Sequence, residues 1–66
     1  MLIKLNGSSI EVAEGSAINV LIDKFGVNNK QVAVEHNGQI IDSNEYTSRT
    51  LKENDTVEIV HFVGGG

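Results

Sequence analysis

The residues of this chain best placed to do chemistry are its last three, Gly64-Gly65-Gly66, which follow Val57-Glu58-Ile59-Val60-His61-Phe62-Val63 without a break. A strand rich in β-branched residues gives way to residues with no side chain, which cannot pack and lose the most conformational entropy when held still. That change predicts a mobile thread over residues 64–66, reaching about 10 Å from the fold at roughly 3.3–3.6 Å per extended residue. Its working group is the carboxylate of Gly66, on a thread thin enough to enter a narrow channel in another protein. Side-chain chemistry is sparse by comparison. His36, His61 and several carboxylates are present, but no nucleophile stands with a base and an orienting third group, so an autonomous enzyme is not expected. The absence of cysteine excludes a disulfide framework, a thiolate metal site and any step that uses a thiol of this chain.

A chain of 66 residues makes one domain, with no room for a deep substrate pocket, so any chemistry is at the surface or shared with a partner. With 39% hydrophobic and 21% charged residues it has the balance of a folded domain. The net charge of −4 opposes binding to nucleic acid or to anionic membranes, and points to basic proteins as charged partners. No apolar run approaches the ~20 residues of a membrane span. Met1-Leu2-Ile3-Lys4-Leu5-Asn6 is too short and too alternating for a signal peptide, so the expected location is the cytoplasm.

The elements that must hold the tail read off in order. Met1, Ile3 and Leu5, then Ile10 and Val12, alternate with other residues on either side of Asn6-Gly7-Ser8, which predicts a β-hairpin. A turn centred on Gly7-Ser8 puts Leu5 opposite Ile10, Ile3 opposite Val12 and Lys4 opposite Glu11; a turn on Asn6-Gly7 shifts the register by two and keeps the same face buried. Ser16 is the expected cap of a helix about ten residues long, with Ile18, Leu21, Ile22 and Phe25 on one face, Lys24 in the last turn and Gly26 at its end. After the polar link Val27-Asn28-Asn29-Lys30, Val32 and Val34 begin a third strand, which Asn37-Gly38 turns back as Gln39-Ile40-Ile41. Residues 42–50 read as a loop with one helical turn after Asp42 or Ser43 and with Tyr46 as its one large side chain. Val57 to Val63 is apolar on both faces and belongs in the middle of a sheet.

A mixed four- to five-stranded sheet buries its apolar face by curling around the one helix, the α+β arrangement of the β-grasp fold. The expected core is Met1, Ile3, Leu5, Ile10, Val12, Ile18, Leu21, Ile22, Val32, Val34, Val57 and Ile59. If Val57 and Ile59 face the helix, the period of two sends Glu58, Val60 and Phe62 to the other side. Ile40, paired with Glu35 across the Asn37-Gly38 turn, falls there too. These four residues, Glu58, Val60, Phe62 and Ile40, form the expected partner-binding patch. His36 falls near the start of the last strand and His61 near its end, too far apart for a shared metal or acid–base site.

Val34-Glu35-His36-Asn37-Gly38-Gln39-Ile40-Ile41 and the ending from Val57 to Gly66, with the length and element order, resemble the ThiS sulfur carriers of thiamine biosynthesis, relatives of the molybdopterin sulfur carrier and of ubiquitin. The resemblance implies a β-grasp domain over residues 1–63 with a flexible glycine tail over 64–66. It also implies a chain that is no enzyme and binds no cofactor, acting instead as the protein substrate of partners. A ThiF-like adenylating enzyme, using ATP, activates the terminal carboxylate; a persulfide on another protein then supplies sulfur. The resulting thiocarboxylate on Gly66 donates that sulfur to a ThiG-like thiazole synthase. Gly65 and Gly66 match the glycines the family requires, and Gly64 serves as a spacer. The alternatives are a molybdopterin-type carrier, a ubiquitin-like modifier joined to lysines, and a pure interaction module whose sheet patch is the function.

Overall fold

Asn6 and Gly7 both take positive φ, 49° and 87°, and so do Asn37 and Gly38, at 51° and 86°. That is the signature of the two-residue turn whose twist matches antiparallel strands, and each turn sets a register. The computed structural model describes residues 1–26 and 31–62. In the first hairpin, β1 (Leu2–Leu5) pairs with β2 (Ser8–Glu11), Leu5 opposite Ser8 and Ile3 opposite Ile10. Of the two registers the sequence allows, this is the one centred on Asn6-Gly7, and Lys4 therefore faces Ser9 rather than Glu11. In the second hairpin, β3 (Val32–His36) pairs with β4 (Gln39–Ile41), with Glu35 opposite Ile40 as expected.

The last strand, β5 (Thr56–His61), takes the centre of a five-stranded sheet of order β2-β1-β5-β3-β4. It runs parallel to β1 and antiparallel to β3, which makes the sheet mixed. A central strand has neighbours on both sides and one face on the core, and Val57 and Ile59 are buried there.

Helix α1 (Ile18–Phe25) lays Ile18, Leu21 and Ile22 on that face, each fully buried. Gly26 ends it in the left-handed conformation at φ 81°, its N–H bonded to Asp23 O and Ile22 O, and Lys24 lies in the last turn. Two expectations are corrected at its ends. The helix has eight residues and its cap position is Ala17, with no side-chain cap, because the Ser16 hydroxyl donates to Ala13 O at 2.6 Å. Phe25, the last helical residue, is 39% exposed.

The N-terminal N–H groups of α1 are satisfied by residues 42–50 instead, which supplies the role the sequence left unassigned to that segment. Ile18 N–H donates to Arg49 O and Asn19 N–H to Tyr46 O, while Leu51 N–H returns to Ser16 O and Ala17 bridges Thr50. Any acceptor will serve the free donors of a first turn, and here the backbone of a distant segment replaces a serine. A 3-10 turn at Ser43–Glu45 starts after Asp42 as expected. The segment also brings Tyr46 into the core, where Leu51 and Ile41 join the expected residues; Met1 and Ile10 are only partly buried and pack against its edge.

Candidate functional site: the open sheet face and the last strand

β5 alternates Thr56, Glu58 and Val60 outward with Val57 and Ile59 inward. Glu58 lies opposite Glu35, Val60 opposite Ala33, and Ile40 flanks Glu35 from β4. Phe62 extends the register by one residue, its N–H donating to Gln31 O at 2.7 Å. Ile40 is 70% exposed, Val60 55% and Phe62 54%. The structure thus places the four expected patch residues in the open: Ile40, Glu58 and Val60 together on the face away from the helix, Phe62 at the strand's end. Gly64, Gly65 and Gly66 lie outside the described residues, as do Val63 and the link over residues 27–30.

Asn6 is a residue whose part the sequence did not reveal. β1 pairs with β5 only at Lys4 with Thr56 and Leu5 with Val57 before the chain turns away. Beyond that point the Asn6 side chain takes the place of a strand: its Oδ1 accepts Ile59 N–H at 2.7 Å and its Nδ2 donates to Ile59 O at 3.1 Å. The central strand therefore stays bonded on its β1 side up to Ile59, three residues before Phe62. Asn6→Gly keeps the positive φ that the turn needs and removes the clamp. The expected result is an intact hairpin with faster amide exchange at Ile59, at least about tenfold for a lost hydrogen bond of ~1.4 kcal/mol. Unchanged protection at Ile59 would show that the clamp contributes nothing.

The two histidines sit at opposite ends of the β3–β5 pair, His36 opposite Val57 and His61 opposite Val32. His36 is buried within a polar network. Its Nδ1 lies 2.9 Å from Arg49 Nε, and since arginine can only donate, Nδ1 accepts; the proton of the neutral ring is then on Nε2, which donates to Asp55 Oδ2 at 2.7 Å. Arg49 also donates to Glu45 and Gln39, tying the 42–50 segment to the second hairpin. Both ring nitrogens are committed, so His36 has none free to act on a substrate. Burial alone would raise the Asp55 pKa, but hydrogen bonds from Asn37, His36 and Lys52 N–H outweigh it and hold the carboxyl below its usual range. Among the described residues no three His, Asp or Glu side chains gather as a metal site would require.

The mixed sheet folded over one helix, with the last strand at its centre, defines a β-grasp protein. The ThiS family model matches residues 3–66, and the chain belongs to that family. It is 38% identical to the sulfur carrier protein ThiS of Bacillus subtilis, over 98% of this chain and all of that one. The crystal structure of the thiamine biosynthesis protein ThiS from Geobacter metallireducens superposes with a TM-score of 0.82 at 30% identity, covering all of both chains. A thiazole synthase from Magnetococcus marinus is 36% identical across this whole chain. The chain spans a fifth of the length of the curated thiazole synthases it matches.

Proposed function

We propose that this chain is the sulfur carrier of thiamine biosynthesis, a protein substrate rather than a catalyst, whose working atom is the carboxyl carbon of Gly66. The observation that carries the reading is a family match running through Gly66, joined to likeness over the full length of a named sulfur carrier. A carboxylate resists nucleophiles because its charge repels them and its oxygen leaves badly. Activation by a ThiF-like enzyme removes both obstacles: the Gly66 carboxylate attacks the α-phosphorus of ATP, pyrophosphate departs, and the resulting mixed anhydride has AMP as its leaving group. The terminal sulfur of a partner's persulfide displaces AMP, and a thiol then cleaves the S–S bond to leave the thiocarboxylate. With no cysteine in the chain, the sulfur is carried on the acyl carbon and the persulfide belongs to the partner.

The acceptor of that sulfur is a ThiG-like thiazole synthase; curated thiazole synthases contain a stretch similar to this entire chain, which supports the pairing. Residues 1–63 form the folded handle, Gly65 and Gly66 enter the partner's site, Gly64 is a spacer, and Ile40, Glu58, Val60 and Phe62 meet the partner's surface. The setting is the cytoplasm, where ATP is at hand. No described helix is long and apolar enough to cross a membrane.

The test is the intact mass of the protein after incubation with ATP, a sulfur source and cell extract, beside a copy lacking Gly65 and Gly66. A gain equal to sulfur replacing oxygen, confined to the full-length protein, is the expected result. No gain under conditions that activate a known carrier would overturn the proposal, and a ladder of isopeptide-linked products would point to a ubiquitin-like modifier instead.

A further inference from the structure

The open sheet face carries a pair of charges that the fold itself does not use. Glu35 on β3 lies directly opposite Glu58 on β5, and both side chains point away from the helix. Side chains so placed have Cβ atoms about 4.5–5.5 Å apart, and like charges there are destabilising. Among the described residues neither carboxylate has an ion-pair partner; Lys4 on the same face stands opposite Thr56. Their surroundings are apolar: Ala33, Ile40 and Val60 complete the walls of the shallow depression that the two glutamates line. Exposed Phe62 lies just beyond, past the end of β5.

We propose that this depression receives an arginine side chain of the partner that docks on the face, its guanidinium lying between Glu35 and Glu58 while apolar partner residues cover Ile40, Val60 and Phe62. This rests on the carrier reading and names the chemistry by which the docking partner recognises the carrier. Charge complementarity singles out a cationic occupant, in keeping with the chain's net charge of −4. A guanidinium suits the place better than an ammonium, because it is planar, weakly hydrated and has five donors to share between two carboxylates beside apolar walls. A second copy of this chain is a poor occupant: a two-fold contact through this face would stack the same acid pair on itself. The repulsion that weakens the free sheet becomes affinity when the cation arrives.

The experiment measures binding of a ThiF-like adenylating enzyme to the wild-type chain and to E35Q, E58Q and the double variant, at low and high salt, with adenylation and melting temperature followed for each. The expected result is that each variant melts at or above the wild type while binding falls at least about tenfold in the double variant, which also loses most of the salt dependence of the wild type. If the wild type is adenylated and the double variant binds equally well, the arginine socket is overturned and the carrier reading stands. A double variant that melts below the wild type would show that the pair serves the fold, and would equally overturn it. If the wild type neither binds nor is adenylated, both proposals fall.

Discussion

Asp55→Ala should cost about 2–3 kcal/mol of stability at neutral pH, a large share of the ~3–10 kcal/mol available to a domain of this size. Three donors converge on the Asp55 carboxylate: His36 Nε2 at 2.7 Å, Lys52 N–H at 2.8 Å and Asn37 Nδ2 at 3.0 Å. Water can replace the carboxylate at Lys52 and Asn37, which are exposed, but not readily at His36, which is 7% exposed. An orphaned buried donor bears the full cost of its lost hydration. Because the folded pKa of Asp55 is depressed, its contribution is fully present above the ordinary carboxylate value of about 3.9. It is lost as pH falls through the lower folded value. Urea unfolding of the wild type and of Asp55→Ala should therefore differ most at pH 7 and converge as the pH is lowered below that of a free aspartate. A gap that stays constant down to pH 3 would show that Asp55 acts through packing rather than through its charge.

What could be read from the sequence was what the chain encodes locally. Asn37-Gly38 specifies a turn by backbone conformation alone, and the period of two through β5 separates Val57 and Ile59 from Glu58 and Val60 whatever surrounds them. The central place of β5 follows from a strand apolar on both faces. Readings that failed or were silent are those decided by partners far along the chain. Ser16 has the chemistry of a cap, but Arg49 O and Tyr46 O, some thirty positions later, take the donors it would have served. Asn6 looked like a turn residue and is one, yet its side chain also stands in for a strand at Ile59, 53 positions away. Nothing in the spacing of His36, Arg49 and Asp55 marks a network, because three separate elements bring them together. Tyr46 and Leu51 stand without periodic neighbours and are buried by the path of the chain after β4, while Ile41 is the inward residue at the end of β4, a strand of three residues too short to show an alternation. In the patch, Glu58, Val60 and Phe62 follow from alternation and Ile40 from its pairing with Glu35 across the Asn37-Gly38 turn, while the Glu35–Glu58 pairing needed the β3–β5 register.

Gly66→Val should abolish adenylation, with a loss of at least about a hundredfold in rate, while leaving the melting temperature of the protein unchanged. The attacking carboxylate must approach phosphorus in line with the departing pyrophosphate, and a displacement near 1 Å from such a geometry costs about that factor. Glycine permits the approach because its α-carbon bears no Cβ and its backbone has access to angles closed to other residues. Valine would bring two γ-methyl groups beside the reacting carbon and would close the positive-φ region. Gly66→Ala separates these effects, since it adds a Cβ without branching; it should retain partial activity if crowding at the acyl carbon is what matters, and little if positive φ is required. The fold should be spared in either case, because glycine offers no side chain to a core that, among the described residues, is drawn from Ile3 to Ile59. Adenylation of Gly66→Val at the wild-type rate would refute the steric argument and leave the glycine with only its contribution to reach. Loss of activity together with a lowered melting temperature would instead trace the defect to the handle rather than to the carboxylate it carries.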